Sequence, residues 1–129
     1  VGKASGARPR VVLVTCGCDP TVIAIGGMPA HFKVPVEPLP SHEIVDTSGA
    51  GDAFLGGFVA LLSRLEAQMD AAKRESEYGP RGGKGLGLCC GRRAIVECCL
   101  AGHYAAQQVL KGRGCSLPTE CGYFEALPL

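Results

Sequence analysis

The chain has 129 residues, of which 47% are hydrophobic and 19% charged, and its formal net charge is +1. This composition is that of one ordinary globular domain, and the near-neutral charge gives no reason to expect a nucleic-acid or anionic-membrane partner. No apolar run reaches the roughly 18 residues of a membrane span and no segment resembles a secretory signal, so we expect a soluble, cytoplasmic protein. The sequence leaves the oligomeric state open, with a monomer favoured.

The eight cysteines are expected to be reduced, because disulfide scaffolds belong mainly to small secreted chains. Two doublets, Cys89-Cys90 and Cys98-Cys99, could in principle hold zinc. Their spacing matches none of the common zinc frameworks, and the second doublet lies on the apolar face of a predicted helix. Packed thiols are therefore the favoured interpretation.

The N-terminal part of the chain predicts two strands after a polar start. Residues 11–15 are a continuous run of mostly β-branched apolar side chains, typical of a strand that is covered on both faces in a parallel sheet. Gly17 ends this run, and Asp19-Pro20 is predicted to be a turn. Residues 21–25 then predict a second strand.

Two further extended segments follow. Residues 31–36 alternate between apolar and polar side chains and include Pro35, which predicts an edge strand. Residues 43–45 are predicted to be the strand that leads into residues 46–52, a stretch of sequence DTSGAGD that we call the septet. Helical periodicity begins directly after the septet, so the septet should form a strand-to-helix turn.

Residues 53–65 predict the clearest helix. Its expected buried stripe comprises Phe54, Leu55, Phe58, Leu61, Leu62 and Leu65. Gly56 and Gly57 each lower helix stability by about 1 kcal/mol relative to alanine. Glycine at these two positions therefore indicates that the backbone packs closely against a neighbouring element.

Residues 68–92 are charged and then glycine-rich, which predicts a flexible, solvent-exposed segment between two helices. Within them, residues 79–85 weakly resemble a phosphate-binding P-loop. The spacing is too short, however, and Gly85 stands where a magnesium-binding serine or threonine is required. We therefore reject the P-loop interpretation.

A second helix is predicted over residues 93–111, ended by Gly112 and Gly114. Its expected buried face comprises Ile95, Cys98, Cys99, Gly102, Ala105, Ala106, Val109 and Leu110. The small side chains on this face would allow either another helix or a flat ligand to lie close against it.

The septet combines two chemical features. The N–H groups in the first turn of a helix have no internal partner and the helix dipole is positive there, so the amides of Gly49, Ala50 and Gly51 could bind a phosphate. Asp52 could accept a proton beside that phosphate, or it could simply cap the helix. The residues alone leave both roles open.

Several segments together resemble one known family. The septet with residues 53–58 resembles the second signature of the ribokinase-like (PfkB) carbohydrate and nucleoside kinases. Residues 15–17 fit the nucleotide-binding turn of that family, and residues 101–106 and 114–118 are similar to the closing segment of its adenosine kinase branch. These segments occur in the order typical of the family and cover most of the chain. The connection between the two helices is much longer than that branch usually has, so residues 68–92 are expected to be a flexible insertion.

The resemblance implies an α/β fold, a ribokinase-like (Rossmann-like) sandwich, of which residues 1–129 would be the C-terminal, ATP-binding portion with strands followed by two main helices. It also implies ATP-dependent phosphorylation of the 5′-hydroxyl of adenosine to give AMP, with Mg²⁺ carried by ATP. The acceptor pocket would lie upstream, so we expect a fragment that is inactive alone.

By the same resemblance, Asp52 is the catalytic base that receives the hydroxyl proton. Gly49, Ala50 and Gly51 form the anion hole for the phosphoryl group, and Thr47 orients phosphate or ribose. A carboxylate with a reference pKa near ~3.9 is a weak base. In a loose phosphoryl-transfer transition state the proton moves late, so the position of the base matters more than its strength.

The resemblance also implies contacts outside the anion hole. Thr15 and Gly17, at the end of a strand, and His103, on the second helix, would contact the nucleotide. Without the resemblance, a lone histidine on a helix is more often a packed side chain. Asp46 could shape a cation site or could cap the turn through its own side chain.

Three other functions stay open at this point. They are another sugar or nucleoside kinase of the family, a truncated noncatalytic nucleotide-binding module, and a cysteine-rich zinc module. The His103-Tyr104 segment favours the adenosine kinase branch over the first of these.

Overall fold

The computed structural model describes residues 10–68 and 91–118. In chain order these form strands β1 (Val11–Cys16), β2 (Asp19–Ile25) and β3 (Phe32–Val34), a 3₁₀ turn (Ser41–Glu43), and helices α1 (Ala50–Gln68) and α2 (Arg92–Leu110). The predicted insertion at residues 68–92 lies almost entirely outside the described residues, as do residues 79–85 and the Cys89-Cys90 doublet.

The three strands form an antiparallel sheet in the order β1-β2-β3. A tight turn at Gly17 and Cys18 joins β1 to β2, and Gly17 adopts a φ of +62° there. Because such a short connection reverses the chain, the expected parallel arrangement is wrong for this pair. Asp19 and Pro20, predicted to be the turn, instead begin β2. β3 lies at an edge of the sheet, as Pro35 predicted.

The sheet has one covered face and one open face. Leu13, Ile23 and Phe32 are cross-strand neighbours that lie in the core or against it. On the opposite face, Val12 and Val14 are 54% and 52% exposed. Among the described residues β1 is therefore covered on one face only, not on both as its apolar run predicted.

Residues 43–45 do not form the predicted strand. Ser41–Glu43 is a 3₁₀ turn, and Ile44 is extended without belonging to a strand. The amide of Val45 donates to the carbonyl of Leu110, the last residue of α2, at 2.8 Å. This segment is thus attached to the end of a helix and not to a neighbouring strand.

Helix α1 begins at Ala50, earlier than predicted, so Asp52 lies inside its first turn and not at the cap position. The buried side chains of its stripe are Phe54, Phe58, Leu61 and Leu62. Leu55 was expected in that stripe but is 59% exposed. Leu55 follows Phe54 directly, and consecutive side chains of an α-helix point about 100° apart, so Leu55 points away from the core when Phe54 points into it.

The two helices approach each other closely at two glycines. A Cβ atom on Gly57 would lie 2.6 Å from the carbonyl oxygen of Ala101, and one on Gly102 would lie 2.7 Å from the ring of Phe54. The close packing predicted for Gly57 is therefore confirmed, and its neighbour is α2. At Gly56 the prediction is wrong, because an added Cβ would meet nothing within 4 Å.

The core lies between the helices and the inner face of the sheet. Its buried members are Ile23, Phe32, Val34, Phe54, Phe58, Leu61, Leu62, Ile95, Cys98, Cys99 and Ala101. Three residues of the predicted face of α2, Ala105, Ala106 and Leu110, are only half-buried. Neither α1 nor α2, the long helices of the described part, is apolar enough to cross a membrane.

Candidate active site

The carboxylate of Asp46 shapes the septet. Its Oδ1 accepts the amide N–H of Ser48 at 2.9 Å, and its Oδ2 accepts the amide N–H of Gly114 at 3.0 Å. These bonds, first of all the one from Ser48, hold the pKa of Asp46 below its usual value. Both oxygens thus bind backbone amides. This corresponds to turn capping, one of the two roles that the sequence left open for Asp46, the other being a cation site.

The main chain that enters the septet is fixed to the C-terminal end of α2. The amides of Val45 and Asp46 both donate to the carbonyl of Leu110, at 2.8 and 3.4 Å. Glu43 and Lys111 form an ion pair at 3.1 Å, but it is solvent-exposed and contributes little. Because the last carbonyls of a helix lack internal partners, the backbone bonds are the stronger attachment.

The first turn of α1 presents amides that are free to bind an anion. Gly49 has a φ of +78°, a left-handed value that glycine adopts without strain. Within residues 10–68 and 91–118, the amides of Gly51 and Asp52 have no hydrogen-bond partner. The amide of Ala50 makes only a long contact of 3.4 Å with the carbonyl of Thr47. Since the helix dipole adds positive potential here, this turn is suited to a phosphate.

Cys115 packs directly against the septet. A Cβ atom on Gly49 would lie 2.5 Å from the Sγ of Cys115 and 3.1 Å from its Cβ, so a side chain at position 49 would displace Cys115. The thiol of Cys115 is free and exposed. Residues 114–118 were part of the family resemblance, but no local pattern in the sequence signals that Gly114 and Cys115 touch the septet.

An apolar cleft of about 540 Å³ opens beside the start of α1. Residues of both helices and of the segment after α2 line it, and many of them are small. They include Gly49, Asp52, Ala53, Gly56, Gly57, Ala60, Tyr104, Ala105, Cys115 and Leu117. The side chain of Asp52 is exposed, and Asp52 and Gly49 are the residues of the helix start that border this cleft.

His103 lies on the side of α2 that faces the sheet. Its Nε2 is 2.8 Å from the Oγ1 of Thr21 and 3.7 Å from the Sγ of Cys99, and its ring centre is 5.5 Å from that of Phe54. Its Nδ1 is buried and has no partner among the described residues. Burial lowers the pKa of His103, so the ring is neutral near pH 7.

A second groove, of about 410 Å³, lies on the His103 side of α2. Its walls are formed by Pro35, Val36, Glu37, Pro38, Leu100, His103, Tyr104 and Gln107. The side-chain amide of Gln107 donates to the carbonyl of Glu37 at 2.7 Å and so holds the segment after β3 against α2. Tyr104 borders both this groove and the cleft.

The predicted site residues are therefore divided among several places. Gly49 and Asp52 border the cleft, whereas His103 borders the groove. The predicted residues that line neither space are Thr15, Gly17, Asp46, Thr47, Ala50 and Gly51. The small residues of α2 serve mainly to admit α1, which is the helix-packing alternative, although Ala105 also lines the cleft.

The zinc alternative gains no support from the described residues. In residues 10–68 and 91–118 no three His, Cys, Asp or Glu side chains come together as a metal site. Cys98 and Cys99 are buried in the core and unbridged. Burial raises the pKa of Cys99 to about 11, so its thiol stays protonated and is a poor metal ligand.

Comparison with known proteins identifies close relatives. The pfkB family of carbohydrate kinases matches residues 1–121. Adenosine kinase 1 of Arabidopsis thaliana is 39% identical over 116 residues, which are 90% of this chain and 25% of that protein. The adenosine kinase of Schizosaccharomyces pombe is 50% identical over 64 residues, which are 50% of this chain and 18% of that protein.

A solved structure of an adenosine kinase is also similar to this chain. Adenosine kinase of Anopheles gambiae, in complex with P1,P4-di(adenosine-5) tetraphosphate, matches at 27% identity with a TM-score of 0.56, over 86% of this chain and 26% of that one. The expected α/β, ribokinase-like fold is thereby confirmed for the portion that this chain spans, about a quarter of the length of the Arabidopsis and Anopheles proteins. With a match across nearly its whole length, the chain belongs to the pfkB family of carbohydrate kinases.

Proposed function

We propose that the protein containing this chain transfers the γ-phosphoryl group of ATP to the 5′-hydroxyl of adenosine, giving AMP. The observation that carries the proposal is the juxtaposition of unpartnered amides and the Asp52 carboxylate at the start of α1, beside the cleft. Membership of the family supports phosphoryl transfer to an alcohol. The adenosine kinases among its relatives support adenosine as the acceptor.

The amides of Gly49, Ala50 and Gly51 would form the anion hole. In the transition state negative charge spreads over the equatorial oxygens of the transferred group, and fixed N–H dipoles stabilise it without having to reorient. Gly49, with its left-handed φ, directly precedes the helix, and the amides of the first helical turn lack strong internal bonds. Thr47, in the same turn, would orient phosphate or ribose.

Asp52 would accept the proton of the acceptor. The 5′-oxygen forms a bond to the γ-phosphorus while the bond from that phosphorus to the bridging oxygen of ADP breaks. The hydroxyl proton passes to a carboxylate oxygen of Asp52. Because the first turn of α1 carries both this carboxylate and the anion hole, one short segment aligns the proton acceptor with the phosphoryl group.

The base of the nucleotide would lie against α2. His103 borders the groove, and Pro35, Val36 and Leu100 give it apolar walls that suit an aromatic ring. A contact between the nucleotide and residues 15–17 (Thr15 and Gly17) is proposed on the family resemblance alone, because these residues line neither the groove nor the cleft.

Magnesium would enter with ATP. In the described part of the chain no group of three metal-binding side chains exists, and both carboxylate oxygens of Asp46 already accept backbone amides. These described residues do not fit a resident metal ion, and the proposed proton transfer to Asp52 does not require one.

We further propose that the acceptor pocket comes from the part of the relatives' length that this chain does not span. Since the chain covers about a quarter of the Arabidopsis relative, it would be inactive alone and would act within a longer, monomeric, cytoplasmic kinase. Adenosine phosphorylation by the isolated 129-residue chain at the rate of an intact kinase would contradict this.

The function is tested by steady-state kinetics of the intact protein with MgATP and a panel of nucleoside and sugar acceptors. Asp52→Ala should lower kcat by about a hundredfold to ten-thousandfold, the usual contribution of a general base, with little change in KM for ATP. Asp19→Asn, which removes another exposed carboxylate at the start of β2, is the matched control and should behave like the wild type.

Three outcomes would overturn parts of the proposal. Wild-type turnover by Asp52→Ala would remove Asp52 as the proton acceptor. Phosphorylation of a sugar but not of adenosine would replace the substrate. ATP binding in calorimetry without turnover of any acceptor would favour the noncatalytic module.

A further inference from the structure

The septet and the end of α2 are connected through several contacts far apart in sequence. The carbonyl of Leu110 accepts the amide of Asp46, and the carboxylate of Asp46 accepts the amide of Gly114. Beside these bonds, the Sγ of Cys115 occupies the space that a side chain on Gly49 would need. The anion hole thus rests on the segment that follows α2.

The side chain of Asp46 binds both segments through two hydrogen bonds of one carboxylate. Its Oδ1 fixes the amide of Ser48, directly before Gly49, and its Oδ2 fixes the amide of Gly114, directly before Cys115. Hydrogen bonds to an ionised carboxylate are roughly twice as strong as neutral ones. Rotation of the carboxylate would lose both bonds together.

We propose that Asp46 is a positioning residue for phosphoryl transfer, which sets the anion hole of residues 49–51 against the segment after α2 by binding Ser48 and Gly114. The inference rests on the proposed function, and it gives the first acid of the septet a task different from that of Asp52. A displacement of residues 112–116 would reach the anion hole through this side chain as well as through the contact of Cys115 with Gly49.

Substitutions at Asp46 should have graded effects. Asparagine keeps one oxygen acceptor but turns its NH₂ group towards a backbone N–H, so Asp46→Asn retains one bond and loses the other. Asp46→Ala loses both bonds. Neither variant removes a group that touches the substrate, so the acceptor should bind as before while the phosphoryl group is held less well.

The test compares Asp46→Asn, Asp46→Ala and Glu43→Gln in the intact kinase. Glu43→Gln is the control, because it removes a carboxylate that also joins the segment before the septet to the end of α2, through Lys111. We expect kcat to fall about tenfold in Asp46→Asn and further in Asp46→Ala, with KM for adenosine unchanged. We expect amide hydrogen exchange of residues 47–52 to accelerate in both variants but not in the control.

The measurements separate this inference from the proposed function. With kcat normalised to folded enzyme, unchanged kcat and unchanged exchange in Asp46→Ala would overturn the positioning role, as would an equal effect of Glu43→Gln. If the wild-type protein phosphorylates no acceptor, the proposed function fails. The exchange of residues 47–52 then decides alone whether Asp46 orders the septet.

Discussion

Two adjacent glycines in α1 should respond to the same substitution with opposite signs. Replacing glycine by alanine in a helix interior gains about 1 kcal/mol of helix stability. At Gly56 the new methyl group would meet nothing within 4 Å. At Gly57 it would lie 2.6 Å from the carbonyl oxygen of Ala101 and 2.9 Å from the Cβ of Ala105.

The contact at Gly57 cannot be relieved by a side-chain rotation, because its nearest atom belongs to the backbone of α2. The helices must move apart, and overpacking of this kind typically costs about 1–3 kcal/mol. Gly56→Ala should therefore raise the free energy of unfolding by up to about 1 kcal/mol. After the same gain is subtracted, Gly57→Ala should lower it by up to about 2 kcal/mol.

Urea unfolding followed by circular dichroism measures both variants against the wild-type chain. The difference between the two variants isolates the overpacking contribution, because the gain in helix propensity is common to both. If Gly57→Ala proved as stable as Gly56→Ala, the close approach of α1 to α2 at this point would be refuted.

Two other predictions concern the buried side chains of α2. Burial lowers the pKa of His103 below the 6.5 of a free histidine, so the unfolded chain takes up the proton first, and the free energy of unfolding should hold above about pH 6.5 and fall below it. Urea unfolding over this pH range should show a steeper acid loss for the wild type than for His103→Gln, and parallel curves would contradict the reasoning. Because burial raises the pKa of Cys99 to about 11, iodoacetamide at about pH 8 should label the exposed Cys16 and Cys115 and spare Cys99. Mass spectrometry that found Cys99 labelled as fast as Cys115 would mean that α2 is not packed into the core.

Local patterns in the sequence predicted the elements that depend on local interactions. Helical periodicity located both helices to within a few residues, and apolar runs located β1 and β2. The antiparallel pairing of β1 and β2 was not predicted, because it depends on whether the chain reverses at Gly17 or continues past it. The chain reverses because Gly17 adopts a positive φ, and the presence of a glycine in the sequence does not by itself reveal its φ.

The candidate site was only partly predictable for a similar reason. The sequence placed Asp52 and the glycines of the septet at a helix start, since that depends on neighbouring residues. It did not reveal that Asp46 binds Gly114, which is 68 residues away, or that Val45 binds Leu110 in place of a strand. His103 could be assigned to a helix from the sequence, but its bond to Thr21 requires the packing of α2 on the sheet.

The unpaired edge of β1 has a consequence for the solubility of the isolated chain. β1 is an outer strand with exposed Val12 and Val14, and among the described residues it has a neighbouring strand on one side only. Such a strand can recruit copies of itself into aggregates. The opposite border is better protected, because β3 is very short, displays Lys33 outward and is followed by Pro35. We therefore expect β1 to be the strand at which copies of the isolated chain would pair, and a partner that covers β1 should improve the solubility of the chain.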